Sequence, residues 1–144
     1  MRRSGGIILI WDDSVMKKER VLIGDHSFSV EISIVGEDFK WVMSSAYAPN
    51  SAEDKLNFWE EQEHIRSWSQ LPWCLAADFN ATRFDSERNK PGGCKRNRRA
   101  LNNLISKCNL IDLPLAGGRF TWTDIKERPL MCCLDRFLIS HKWE

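Results

Sequence analysis

The sequence predicts a mixed α/β domain, with strands interleaved with the helices that cover them. Phe28, Val30, Ile32 and Ile34 alternate with Ser29, Glu31 and Ser33, which is the period of a strand. Between Ser51 and Pro72 the pattern becomes helical, with Phe58, Ile65 and Trp68 on one face. The apolar run 73–77 then returns to strand character and stops abruptly at Asp78, Phe79 and Asn80.

Taken in order, residues 7–11 follow Gly5-Gly6 and read as a short buried strand. Residues 20–23 read as a second strand, ended by the turn signal Gly24-Asp25. The alternating segment comes next, Gly36-Glu37-Asp38 supplies a turn, and residues 39–47 form a further strand. Four strands joined by short turns imply an antiparallel sheet or meander. Ser51 is placed to cap the helix, with Glu53 and Asp54 at the positive end of its dipole, while Leu56 and Trp59 widen the apolar stripe. Residues 82–99 are polar, basic and contain glycine, so they read as a loop entering a second helix over about 97–108, with Leu101, Leu104 and Ile105 inward. Residues 110–113 are extended, "GGRFTWTD" is a turn into a strand, and "CCLDRFLIS" is the last strand.

A chain of 144 residues with 42% hydrophobic content suits one globular domain. Lys plus Arg (21) nearly balances Asp plus Glu (20), so the net charge of +1 selects neither nucleic acid nor membrane as a partner. The five cysteines include one adjacent pair and no CxxC, which argues against a disulfide framework or a zinc site. Reduced thiols in an intracellular protein are the expectation. The apolar run near the start is too short for a membrane span and lacks a small-residue cleavage site, so a soluble chain without a secretory signal is expected.

Asp78 and Asn80 are two apart on a strand, so both should face one way and Phe79 the other. Strand ends are where α/β proteins commonly place ligands. A carboxylate can orient and deprotonate water or assist a metal ion, and a neutral amide can donate to a phosphate oxygen. The alternative is an Asx-type turn that merely ends the strand. Arg83, Arg88, Lys90, Lys95, Arg96, Arg98 and Arg99 crowd the following loop, expected beside Asp78. Phosphate contacts there would be salt-sensitive and sequence-blind; the alternative is a solvated loop. His26 and His64 read as incidental.

"PWCLAADFNATRFDSERN", with "SAYAPN", "GGRFTWTD" and "LDRFLISHKWE", resembles the endonuclease/exonuclease/phosphatase superfamily. Within it, the resemblance is to the apurinic endonuclease-like domains of plant LINE-type non-LTR retrotransposons, and it runs from about Ser4 to the last residue. It implies a DNase I-like four-layer α/β sandwich, in which two mainly antiparallel sheets pack together between outer helices. It also implies a Mg²⁺-dependent phosphodiesterase that nicks DNA, with a nuclear location to match. The family's Gly-Asp-Phe-Asn appears as Ala77-Asp78-Phe79-Asn80: Asp78 would orient the attacking water and serve as metal ligand, and Asn80 would bind the scissile phosphate. Tyr47 in "YAP" would donate to a phosphate oxygen or assist the leaving group. Asp135 would orient a catalytic histidine, unless it is a partner for Arg136 or Arg119. Trp122 would stack beside the substrate groove, unless it packs in the core. Arg96, Arg98 and Arg99 would face phosphates.

The departures are equally definite. The family's opening strands, bearing an asparagine and a metal-binding glutamate, and its closing Ser-Asp-His have no counterpart here, and His141 is not that histidine. Residues 1–144 are therefore expected to form a partial domain. Ala77 replaces a glycine, and its methyl would crowd the groove. One reading is thus a DNA-nicking enzyme; the other is a non-catalytic retrotransposon remnant or basic nucleic-acid-binding module. A partial sheet would leave open edges and uncovered apolar faces, so poor solubility is expected.

Overall fold

A computed structural model describes residues 6–143. β1 (Met16–Ile23), β2 (Ser27–Ile34) and β3 (Lys40–Tyr47) form an antiparallel meander. α1 (Ala52–Trp68) crosses over to β4 (Trp73–Asp78), which lies parallel to β3. α2 (Lys95–Lys107), β5 (Leu110–Asp112), β6 (Trp122–Thr123), β7 (Met131–Cys132) and β8 (Asp135–Ser140) follow. The main sheet has the order β1-β2-β3-β4-β8-β5, and β6 and β7 form a separate two-stranded ribbon. Among the described residues, no helix is long and apolar enough to cross a membrane.

The strand and helix expectations hold for most elements, with informative exceptions. Residues 7–11 are not a strand: the segment finds no sheet edge to pair with, and Ile8 and Ile10 are 81% and 86% exposed. Ser4, Gly5 and Glu144, which the motif reading included, lie outside the described residues. β2 has the expected alternation but is buried on both faces, because its polar residues are also partnered. Glu31 accepts two hydrogen bonds from Arg20, and the Ser29 hydroxyl meets that of Ser44, which in turn accepts the indole N–H of Trp73.

In α1 the Ser51 hydroxyl accepts the N–H of Asp54 at 3.2 Å, the predicted cap. Phe58, Trp59 and Ile65 are buried, but Leu56 is exposed, and Lys55 and Gln62 share the inward face. α2 starts two residues before the expected position and buries Leu101, Leu104 and Ile105 as read from its period.

Both helices cover one face of the main sheet. Val42, Ala46, Trp73, Leu75, Ala77 and Leu138 point into that layer and pack with Phe58, Ile65, Leu101 and Leu104. Fully burying side chains of this size contributes about 1.5–3 kcal/mol each. Trp59 stacks on Phe79 at 6.2 Å between centroids, and Phe58 packs edge-on to both. Ala77 therefore departs from expectation, since its methyl is buried on the helix side and does not crowd the opposite face. Among the described residues no helix covers that opposite face, which carries Cys74, Ala76, Phe137 and Ile139, and Phe137 is 52% exposed.

Candidate active site on the open sheet face

β3, β4 and β8 lie side by side, and their register puts three polar residues in one row. Tyr47 is opposite Asp78, and Asp78 is opposite Asp135. Strand alternation sends all three to the face away from the helices, because the neighbouring Ala46, Ala77 and Arg136 point to the helix side. Adjacent strands are about 4.8 Å apart, so the row spans roughly 10 Å. It opens into a cleft of about 410 Å³ whose walls include Ile7, Ile8, Ala76 and Phe137.

Asp78 is half-buried, and burial pushes its carboxyl above the ordinary range. The N–H of Asn80 pulls it back, the charge of Asp135 pushes it up again, and the Lys55 ammonium opposes. Among the described residues the Asp135 carboxylate has no hydrogen-bond or ion-pair partner; the two partners suggested for it are engaged elsewhere. Arg136 is held by Glu87 and Asp112, and Arg119 donates to the Ser86 carbonyl. Thr121 Oγ1 accepts the N–H groups of Leu134 and Asp135, and so holds the entry to β8. Tyr47 is 52% exposed.

Asn80 is not on the strand. β4 ends at Asp78, and Asn80 has φ +46°, the left-handed conformation that asparagine tolerates. Its N–H donates to Asp78 Oδ1 at 2.9 Å, an Asx-type turn, and its side-chain amide donates to the Ala48 carbonyl. The expected shared face for Asp78 and Asn80 is therefore replaced by a turn that joins them directly. Phe79 points to the core as expected.

The basic loop divides into working and free residues. Arg83 pairs with Asp112 and bonds Asn102, Arg88 and Lys90 donate to main-chain carbonyls, and Arg98 pairs with Asp85 and Thr82. Arg96 and Arg99 are exposed in the first turns of α2 beside Lys95. None of Arg96, Arg98 and Arg99 lines the cleft, and neither does Trp122, which is 43% exposed in β6 and so is not a core residue.

Lys55 was not anticipated. Its side chain is buried in the inward face of α1, and its Nζ donates to the Asn80 carbonyl at 2.9 Å. The signal was available, because 55, 58, 62 and 65 follow the helical period of the inward stripe.

Among the described residues no group of three or more His, Cys, Asp or Glu side chains forms a metal cage. The donor set in the cleft is a pair of neighbouring carboxylates, Asp78 and Asp135, whose like charges repel. Mg²⁺ is commonly held by one or two carboxylates and retains several waters, so this pair fits such an ion.

Comparison with known proteins shows the fold. No protein-family model and no curated protein sequence matches the chain. Among solved structures, it is similar to the endonuclease domain of TRAS1, a telomere-specific non-LTR retrotransposon, with 13% identity and a TM-score of 0.61 over 79% of this chain and 51% of that one. An endonuclease/exonuclease/phosphatase family protein from Bacteroides thetaiotaomicron matches at 13% identity and TM-score 0.59, over 89% of this chain and 52% of that one. TDP2 from D. rerio, solved with a single-strand DNA product, matches at 10% identity and TM-score 0.57, over 92% of this chain and 57% of that one. The chain thus has the DNase I-like α/β fold and spans about half the length of the structures it matches.

Proposed function

We propose that residues 1–144 are a partial endonuclease/exonuclease/phosphatase domain supplying part of a Mg²⁺-dependent phosphodiesterase cleft that nicks DNA, of the kind LINE-type non-LTR retrotransposons carry. The observation behind this reading is the row Tyr47, Asp78 and Asp135 across three adjacent strands, open to one cleft.

Burial raises the proton affinity of Asp78, which suits a carboxylate that orients a water and accepts its proton. Tyr47 reaches solvent at the same strand end and can donate to a phosphate oxygen or a leaving group. Asn80 gives one amide hydrogen to Ala48 and does not line the cleft, so its part in this reading is to hold the Asp78 turn, with the second amide hydrogen left to reach a phosphate at the cleft's edge. Asp78 and Asp135 would hold the hydrated Mg²⁺, which supplies Lewis-acid stabilisation of charge on the phosphoryl oxygens when bound. DNA as substrate is supported by the TRAS1 endonuclease domain and by TDP2 with its DNA product.

Nicking of supercoiled plasmid with Mg²⁺ tests the reading. Asp78→Ala should lower the rate by about 10²–10⁴-fold, the usual contribution of a positioned base. Equal traces of cleavage by both proteins would refute it. The exposed Lys95, Arg96 and Arg99 favour a second reading, a non-catalytic nucleic-acid-binding module. On that reading Asp78→Ala binds DNA unchanged, and each lost cation lowers the salt slope by roughly 0.9.

A further inference from the structure

Two cations are buried among the described residues, Arg136 and Lys55. Arg136 is neutralised by two carboxylates, whereas among the described residues no carboxylate lies within ion-pair distance of Lys55. Its ammonium is directed instead at a main-chain oxygen, that of Asn80, at 2.9 Å. A buried, uncompensated ammonium is unfavourable, and burial pushes the Lys55 pKa down, with Cys94 and Asp78 opposing. Packing does not require this arrangement, because a methionine would fill the same stem volume without a charge.

The position of the contact accounts for it. Asn80 adopts a left-handed conformation, and its polar groups are tied to separate elements. The N–H goes to Asp78 on β4, the side-chain amide to Ala48 just beyond β3, and the carbonyl to Lys55 on α1. The first of these bonds sets the rotation of the Asp78 carboxylate in the row with Tyr47 and Asp135. Removing the donor to the Asn80 carbonyl would free the turn on the side opposite that bond.

We infer that Lys55 is a positioning residue that clamps the Asn80 turn and thereby aims the Asp78 carboxylate into the cleft. This rests on the reading above, in which Asp78 acts on a phosphodiester. Lys55 itself touches no reacting atom.

The test uses the whole chain, with Lys55→Met removing the donor and Lys55→Arg restoring one. Amide exchange at Asn80 should quicken at least tenfold in Lys55→Met, while the core amides of β2 to β4 and the melting temperature hold. In plasmid nicking, kcat should fall 10- to 100-fold with KM within twofold, and Lys55→Arg should recover most of the loss. Unchanged exchange at Asn80 would overturn the inference. So would a Lys55→Met chain that fails to fold, or one that exchanges faster throughout the sheet, since the lysine would then be general support. If the unaltered chain does not nick DNA, the phosphodiesterase reading fails, and exchange at Asn80 still decides whether the clamp exists.

Discussion

Replacing Arg136 by methionine should be among the most damaging single changes available to this fold. The guanidinium is 3% exposed and donates to both oxygens of Glu87, at 2.9 and 2.6 Å, and to Asp112 at 2.8 Å. Asp112 also pairs with Arg83, and Glu87 accepts the N–H groups of Arg83 and Phe84. The cluster ties β5 and the 83–88 loop to β8, next to Asp135. Methionine would leave two mostly buried carboxylates with one arginine between them. Breaking a buried ion pair from one side costs about 3–5 kcal/mol. A urea slope of about 2 kcal/mol per molar then predicts a fall in midpoint of roughly 2 M.

Adding Glu87→Gln should recover about 1–2 kcal/mol, because the amide oxygen still accepts the loop N–H groups without an unpaired charge. The pH dependence follows from Glu87. Burial pushes its carboxyl up, but the Arg136 and Arg83 hydrogen bonds outweigh this and leave it below the ordinary value. Its stabilising contribution is therefore present above an unfolded pKa of about 4.3 and is lost as pH falls through the lower folded value. The gap between parent and Arg136→Met should be widest near pH 7 and narrow in acid. Urea unfolding at pH 7 and pH 3.5 measures both. A midpoint within 0.2 M of the parent at pH 7, about 0.4 kcal/mol at that slope, would refute the reasoning.

Two further changes probe other parts of the molecule. A Cβ on Gly24 would lie 2.5 Å from the Glu61 carboxyl carbon, so Gly24→Ala must displace a side chain that accepts the N–H groups of Asp25 and His26. The expected loss is about 1–3 kcal/mol by thermal unfolding, and an unchanged melting temperature would show that Glu61 does not anchor the turn. Asp78→Asn should raise the melting temperature at pH 7, because burial lifts the folded pKa of Asp78 and its charged form is unfavourable there. For an acid whose pKa is raised on folding, the native state is favoured below the unfolded value, about 3.9, and loses that advantage as pH rises through the folded value. The variant's gain should accordingly vanish in acid; a gain that persists at pH 3 would assign it to something other than the charge.

Much of this architecture was legible because it depends on local pattern. The period of β2, the cap at Ser51, the inward Leu101, Leu104 and Ile105, and the strand ending at Asp78 follow from spacing that the chain carries within ten or twenty residues. The failures need partners distant in sequence. Residues 7–11 have strand composition, but a strand exists only where an edge accepts it, and composition does not report edges. Arg83 and Arg98 look like the rest of a basic loop until Asp112 and Asp85 are placed beside them. Asn80 is different: alternation makes it a strand residue, but the Asx-type turn that the sequence also offered, a bond to Asp78 two residues away, is the one formed. The row of Tyr47, Asp78 and Asp135 was legible only as three separate strand ends; that they are neighbours is a property of the sheet order.

The Asx-type turn at Asp78 could by itself explain why an apolar strand ends in Asp-Phe-Asn, so its surroundings must decide whether it does more. A turn needs only the Asp78 oxygen and the Asn80 N–H. The molecule adds three features that oppose stability at the same point. Asp78 is half-buried with its carboxyl pushed up, Asp135 places a second carboxylate directly across the strand pair, and Lys55 is buried with no carboxylate among the described residues within ion-pair distance. Each is replaceable by a neutral residue of similar size without loss of core packing. Like charges opposite one another and unpaired buried cations are disfavoured wherever only folding is at stake. Their convergence at one strand end, two carboxylates on the open face and an ammonium reaching the turn from the helix side, is the pattern of a site held ready at some expense to the fold.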